Sequence, residues 1–498
     1  MDKFLNGVKK QLNFTLTTNG AVAVKSTNNP MVDLYGLIGA ARNIDPKQII
    51  ELFERAFEYD ALIATKLLFY ARDIRAGLGE RKTFRTIFKW LANNYPEVAK
   101  LNIANVAEFG RYDDLFVLFD TPIEQDMLDY VKTQLDADSE AEFPTLLAKW
   151  LPSENASSYK TKELAHKFIT AYSYSPKEYR KLLSRIRAKL NLIETQISSN
   201  LWTEIDYSKI PSKAAMQYRQ AFWRHTPERY KAYIDSLIDN VAKINVDTLF
   251  PYDIVKKAIL DGAWRAGYFN TNNGTKFKDL YNAQWRALPN VLEEGTDDSL
   301  IMADTSGSMT VNNCTPISAA LSLAIYFAER NTGRFKNHFM TFSSEPELQE
   351  LKADNLWDNL KEIKSIISST NIEAAFDLIL DTAINEELNQ KDLPGRIIII
   401  SDMQFNAATN NRTPKKEVLM KTISKKFEQA GYKMPKLVFW NVNVVKVLFP
   451  MTEEYGIQFV SGYSQNIFKA IVKNEFLEPI NLILETVNVE RYNCIVVQ

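Results

Sequence analysis

The sequence predicts a chain of α plus α/β class: an N-terminal all-α domain of HEAT-like helical repeats, then a doubly wound, Rossmann-like α/β domain. Three observations predict it. From about Leu37, and for roughly 200 residues, apolar side chains recur at i, i+3 and i+4 spacing in short segments. After residue 297, uninterrupted apolar runs alternate with helical segments, the pattern of a parallel sheet with crossover helices. Two of those runs, 300–303 and 396–400, lead into carboxylates, Asp304 and Asp402.

Taken in order, residues 1–35 are polar and read as an arm with little core of its own. The helical domain is expected over 36–285. Ile49, Ile50, Leu52, Phe53, Ala56 and Phe57 form its first stripe; 61–72 and 82–91 are the next helices, and Val98, Leu101 and Val106 lie on another. No strict period relates them, so an α-solenoid here has degenerate repeats. Its corners are distinctive. Residues 70–82 carry Arg72, Arg75, Arg81 and Lys82 with Gly77 and Gly79; 109–115 hold Arg111 beside Asp113 and Asp114; 149–156 read Lys-Trp-Leu-Pro-Ser-Glu-Asn-Ala. Ser175, Pro176 and Glu178 combine an N-cap, a proline at the first helical position and a capping box. The helix they start runs towards Ile197 on a stripe of Tyr179, Leu182, Leu183, Ile186, Leu190 and Ile193. The junction is 286–297, broken by Leu288-Pro289-Asn290 and Glu293-Glu294-Gly295. The α/β domain is expected over 295–475, with further strands at 334–342, 437–441 and, at an edge, 457–461. Its helices are expected from Pro316 to about Arg330, from Ile372 past Leu380, and over 415–430 and 465–472. The tail, 476–498, has room for one more helix docking back on the helical half.

Asp304 is followed by Ser306 and Ser308 around Gly307, a residue that permits a tight turn. Hard oxygens at the carboxyl end of a buried parallel strand suit a hard cation such as Mg²⁺ or Mn²⁺. That edge of an open α/β sheet is also where ligands bind. Two other readings stay open. A phosphatase-type nucleophilic Asp also follows an apolar strand, but its general acid stands two residues on, where this chain has Ser306. A capped loop would use Ser306 or Ser308 to close a turn. The pattern Asp-x-Ser-x-Ser resembles the metal-ion-dependent adhesion site of von Willebrand factor A domains. The resemblance implies that Thr370 and Asp402 complete a site made of Asp304, Ser306, Ser308, Thr370 and Asp402. Thr370 alone would read as a helix N-cap.

Composition narrows the function classes. Hydrophobic content of 46% with 24% charged residues is that of a globular protein. No apolar run of 18 residues exists, and residues 1–10 lack the apolar segment of a signal peptide, so a cytoplasmic protein without a membrane span is expected. The two cysteines, Cys314 and Cys494, make no disulfide framework, and three scattered histidines, His166, His225 and His338, leave no zinc site and no Ser-His-Asp or Cys-His constellation. Gly77 and Gly79 follow no strand, so they form no phosphate loop. An enzyme is therefore not expected. Net charge is −1, so any basic surface is local. Residues 151–200 hold 9 basic and 4 acidic residues, which leaves Lys177, Arg180, Lys181, Arg185 and Arg187 short of acids at i+4. With Arg72, Arg75, Arg81 and Lys82 they are the expected phosphate-contacting surface.

Four motifs occur in order: Tyr-x-Arg-Asp-Ile-Arg-x-Gly-x-Gly-Glu-Arg from Tyr70, Phe-Gly-Arg-Tyr-Asp-Asp-Leu from Phe109, Lys-Trp-Leu-Pro-Ser-Glu-Asn-Ala from Lys149 and Ile-Pro-Ser-Lys-Ala from Ile210. They resemble the Ro autoantigen family, in which a TROVE module, a ring of helical repeats, is closed by an A domain. They resemble still more an uncharacterised family of viral, phage and plant proteins with this layout, whose last motif matches Ser401-Asp402-Met403-Gln404-Phe405. The resemblance covers roughly 35–480. It implies a non-catalytic, monomeric scaffold that binds small structured or single-stranded RNA and carries a divalent cation, in the host cytoplasm if the chain is viral. The alternative is a metal-dependent protein-interaction module in which the cation takes a partner's carboxylate and no RNA is bound. The acidic segment 120–142 departs from a basic ring.

Overall fold

Buried apolar runs in the second half of the chain form a sheet, as their lack of alternation requires. The computed structural model describes residues 11–239, 241–263, 274–292, 298–342, 345–363, 369–407, 418–452, 456–473 and 478–498; the expected breakers Glu293-Glu294-Gly295 lie outside them. A helical N-terminal region precedes an α/β region with a six-stranded mixed sheet. The chain divides into two compact units that do not follow sequence order. One takes the described residues up to Ala64, Ala76–Leu78 and Leu249–Val489; the other takes Thr65–Arg75, Gly79–Thr248 and Glu490–Gln498. The α/β unit therefore includes helices on the amino-terminal side of the expected junction.

Within the α/β unit, the N-terminal residues form a small hairpin, β1 (Phe14–Leu16) with β2 (Val22–Val24). The sheet strands are β3 (Ser299–Asp304), β4 (His338–Phe342), β5 (Glu347–Glu350), β6 (Arg396–Ser401), β7 (Lys436–Asn441) and β8 (Ile457–Ser461). Their spatial order is β5-β4-β3-β6-β7-β8, all parallel except β5. The chain steps outward from β3 to β4, then returns past β3 to begin β6. The order reverses between β3 and β6, and at such a switch point the loops part to leave a crevice. Strand β5, absent from the sequence reading, is an edge strand, and its polar Glu347, Gln349 and Glu350 suit that place. Helices cover both faces. Phe439 stacks on Phe459 below the helix Pro30–Ile38, whereas the next residue, Trp440, meets Phe468 of the helix Ile467–Lys473.

Residues 11–35 are not a coreless arm. Ala21, Ala23, Val24, Met31, Val32, Leu34 and Tyr35 are buried, because the hairpin and the helix from Pro30 pack within the α/β unit. The tail does make one more helix, Pro479–Val487, which stays in the α/β unit, while 490–498 belong to the helical unit.

In the helical unit the distinctive corners are held by ion pairs. Arg72 is 2% exposed and its Nε donates to Asp114 Oδ2 at 2.7 Å. Arg85 Nε donates to Asp114 Oδ1 at 2.6 Å, and the Arg111 backbone N–H reaches Oδ2 at 3.0 Å. Arg111 forks onto Asp113 and lies 3.8 Å from the centre of the Trp150 ring. A Cβ on Gly110 would stand 2.5 Å from Asp114 Oδ2 and 2.6 Å from Arg72 Nε, so glycine is required there. The capping box at Ser175 forms as expected. Further along that helix, Arg187 donates to the carbonyls of Ala148 and Leu151 at 2.7 Å and to Ser153 Oγ at 2.8 Å, which ties down the 149–156 corner. Two residues expected on a basic surface, Arg72 and Arg187, are thus spent inside the fold.

Asp114 is the sink for this network. Asp114→Ala leaves Arg72 buried and uncompensated and should destabilise the chain by about 3–5 kcal/mol in denaturant unfolding, whereas Lys181→Ala at an exposed site should change it by less than about 0.5 kcal/mol.

Candidate metal centre

Strands β3 and β6 deliver two carboxylates to the switch point. Ala303 pairs with Ile400 in register, so Asp304 stands opposite Ser401 and Asp402 lies one residue beyond. Ser401 Oγ donates to Asp304 Oδ2 at 2.5 Å, and the Ser306 N–H donates to Asp304 Oδ1 at 2.9 Å. The Ser306 and Ser308 hydroxyl oxygens are 3.2 Å apart. The turn after Asp304 is a short 3-10 segment, Gly307–Thr310. Gly307 takes no left-handed backbone. That conformation falls instead on Asn312, Asn313 and Cys314, immediately before the regular part of the helix Val311–Arg330. On the other side Met403 is left-handed, at φ 61°, in the turn after Asp402.

Thr370 is released for the site by its neighbour. The helix Ile372–Asn385 is capped by Asn371, whose side chain accepts from the Ala374 N–H at 3.2 Å, so the Thr370 hydroxyl is not its cap. The Thr370 carbonyl accepts from the Asn406 N–H at 2.9 Å, which sets Thr370 against the turn that follows Asp402.

All of this is dry. Asp304 is fully buried and Asp402 is 1% exposed. Burial, and then the charge of Asp402, pushes the Asp304 carboxyl up to about 7; burial also raises Asp402. Asp402 Oδ1 accepts from the Gln404 N–H at 3.1 Å and the Ser308 hydroxyl steadies the same carboxyl, but its buried Oδ2 has no partner in hydrogen-bond geometry among the described residues. A buried carboxylate oxygen left unpaired is costly and calls for an ion, a water or a ligand group. Two carboxylates, three nearby hydroxyls and an orphaned oxygen fit a hard divalent cation. Among the described residues no three His, Cys, Asp or Glu side chains converge on a point, so such an ion would rely on neutral hydroxyls for the rest of its shell.

Three contributors escaped the sequence reading: Ser401, Gln404 and Asn19. Asn19 Nδ2 lies 3.4 Å from Thr370 Oγ1 and donates to the Gln404 carbonyl at 2.5 Å. Only Ser401 gave a signal, standing between an apolar run and an acid.

The expected basic surface is only partly present. Arg75, Arg81, Lys82, Lys177, Arg180, Lys181 and Arg185 are exposed. Arg75 nevertheless donates to the Glu108 carbonyl at 2.7 Å and Arg180 pairs with Glu154 at 2.7 Å. Lys177, Lys181 and Arg185 make no ion pair among the described residues and follow one another at i, i+4 and i+8 on the helix Pro176–Lys189.

The raised Asp304 carboxyl gives a pH dependence with a definite sign. Its folded value lies above the unfolded one of 3.8, so the stability it contributes is present below about pH 4 and is lost as pH rises through about 7. Metal-free protein should melt at a higher temperature at pH 5 than at pH 8, and Asp304→Asn should remove most of that difference.

Comparison with known proteins gives four likenesses. A crystal structure of the Deinococcus radiodurans Ro (RSR) protein is similar over 93% of this chain and 99% of that one, at 14% identity and a TM-score of 0.41. Uncharacterized protein L728 of Acanthamoeba polyphaga mimivirus is 27% identical over 517 aligned positions, 95% of this chain and 87% of the relative. Residues 298–492, which hold Asp304 through Asp402, match the family described as Domain of unknown function (DUF7788). Residues 17–140 and 137–296 together are more than half of the sequence, and by that match the chain belongs to the family described as Domain of unknown function (DUF2828).

Proposed function

We propose that the chain is a non-catalytic binding protein whose α/β unit is a von Willebrand factor A-like domain that presents a divalent cation to an anionic group on a partner. The observation that carries this is the buried Asp402 Oδ2, without a hydrogen-bond partner among the described residues, on a carboxylate that follows the strand next to that of Asp304. Asp304, Ser306, Ser308, Thr370 and Asp402 would hold Mg²⁺ or Mn²⁺. Two carboxylates balance its charge, and the hydroxyls are neutral donors. The bound ion would supply a Lewis-acidic position for a carboxylate or phosphate oxygen. Ser401 and the Ser306 and Gln404 N–H groups orient the two carboxylates, as outer-shell donors do. Binding rather than hydrolysis is favoured by the side chains around the site. The histidine of this unit, His338, begins β4, at the opposite end of the sheet from Asp304. Both acids are committed to the ion, which leaves no base among the described neighbours to activate water.

Isothermal titration of the whole protein with Mg²⁺ or Mn²⁺ should give saturable heat, and Asp304→Ala should abolish it. At a hundred times its dissociation constant the ion should stabilise the fold by about 2.7 kcal/mol. The absence of both responses in the wild type would leave the carboxylates as a structural pair only.

A second reading, RNA as the anionic partner, is favoured by the row Lys177, Lys181 and Arg185, about 12 Å long on one helix face. Binding of a short single-stranded RNA should weaken steeply with salt, and Lys181→Ala and Arg185→Ala should each flatten that slope by about one unit. A slope unchanged in both variants rejects the row as a phosphate contact.

A further inference from the structure

Beside the carboxylates lies an element that the cation reading does not use. The turn joining β1 to β2, residues 17–21, is seated on the turn that follows Asp402. Thr17 Oγ1 donates to the Phe405 carbonyl at 2.6 Å. The Thr18 N–H and hydroxyl both donate to Gln404 Oε1 at 2.8 Å. Asn19 Nδ2 donates to the Gln404 carbonyl at 2.5 Å and lies 3.4 Å from Thr370 Oγ1, and the Ala407 N–H returns a bond to the Asn19 carbonyl at 3.2 Å. The other end of the hairpin is fixed as well, by mutual backbone bonds between Val24 and Phe449 at 2.9 and 2.8 Å.

Gln404 joins this turn to the acid. Its side chain is 2% exposed, takes both Thr18 donors on Oε1, and gives Nε2 to the Asp402 carbonyl at 3.3 Å, while its N–H holds Asp402 Oδ1. Between the two residues sits Met403 with its left-handed backbone. A non-glycine residue there costs on the order of 1–2 kcal/mol and persists only where the surroundings hold it. The Met403 N–H is held by Ser401 Oγ at 3.0 Å, and the hairpin braces the residues that follow, Gln404 and Phe405. In return it needs a dock, because two strands of three residues are not stable alone.

We propose that the 17–21 turn is a working wall of the cation site, with Asn19 and Gln404 as positioning residues that couple cation binding to docking of the N-terminal hairpin. Asn19 orients the Thr370 hydroxyl and Gln404 orients the Asp402 carboxylate. An ion that fixes Asp402 and Thr370 therefore tightens the hairpin, and by reciprocity a docked hairpin tightens the ion. The inference rests on the cation reading above and names its regulation.

The test uses the full chain with Mg²⁺ as the probe, by isothermal titration and by amide hydrogen exchange over residues 14–24. Wild-type protein should bind Mg²⁺ and exchange more slowly in the hairpin when it is present. Asn19→Ala and Gln404→Ala should each weaken Mg²⁺ binding about tenfold, in the range of outer-shell losses, and remove the protection. Asn19 is exposed, so its variant folds even if loss of the buried Gln404 side chain proves too disruptive. Asn19→Asp supplies a readout that a merely structural contact would not move: it loses the donor yet places a charge near the ion, and should bind Mg²⁺ more tightly than Asn19→Ala. Mg²⁺ binding that is equal in wild type and Asn19→Ala, with no change in hairpin exchange, overturns the coupling and leaves the cation reading standing. No Mg²⁺ binding by the wild type overturns both.

Discussion

The constraint on which the α/β unit turns is the burial of two like charges, Asp304 and Asp402, at the ends of neighbouring parallel strands. Apolar runs on both strands force them into the sheet interior, and the register then sets one acid opposite Ser401 and the other just beyond it. Neither is exposed to bulk water. The surrounding fold offers each some donors, but it leaves one oxygen of Asp402 unanswered. In the absence of a positive partner, one acid keeps its proton towards neutral pH. The site is thus either a proton-holding pair or a cation-holding pair, and the hydroxyls around it serve both states.

The helical unit resolves its charges in the opposite way. There buried or half-buried acids and carbonyls are matched by guanidinium groups, and the fold spends several of its arginines internally. Asp114 accepts from Arg72, Arg85 and the Arg111 backbone, and Arg187 satisfies two oxygens of the 149–156 corner and the Ala148 carbonyl before it. Arginine suits this work because its planar fork reaches several acceptors at once. A local excess of basic residues is consequently a poor guide to a basic surface. Among the described residues, the helix Pro176–Lys189 still presents a row of three exposed cations without an ion pair, two of them lysines.

Strain gathers around the candidate site. Asn312, Asn313 and Cys314 are left-handed on one side, and Met403 on the other, while Gly307 is not. Such backbone is held by bonds from elsewhere in the chain, as the hairpin at Thr17 to Asn19 does for the turn at Met403. The similarity to a mimivirus protein along most of the chain agrees with the viral likeness read from the motifs.

Much of the architecture was legible in the sequence, because it follows from short-range rules. Uninterrupted apolar runs gave β3, β6 and β7, and helical spacing gave the N-terminal helices. The capping box at Ser175 needs only neighbours in the chain. Asp304, Ser306 and Ser308 were legible for the same reason: three residues within five positions share a turn whatever the rest does. The sequence could not show that the polar residues 11–35 have a dock, since their partners lie some hundreds of residues away. Nor could it show that Arg72 is buried and Arg187 half-buried on internal acceptors, because a guanidinium looks alike in sequence whether an acceptor waits for it or water does. That Asn371 caps its helix and leaves Thr370 facing the turn after Asp402 was decided by packing, as were the places of Ser401, Gln404 and Asn19. Local pattern fixes which atoms a segment can offer; only the closing of distant segments on one another decides which offers are taken up, because desolvation makes each pairing depend on everything packed around it.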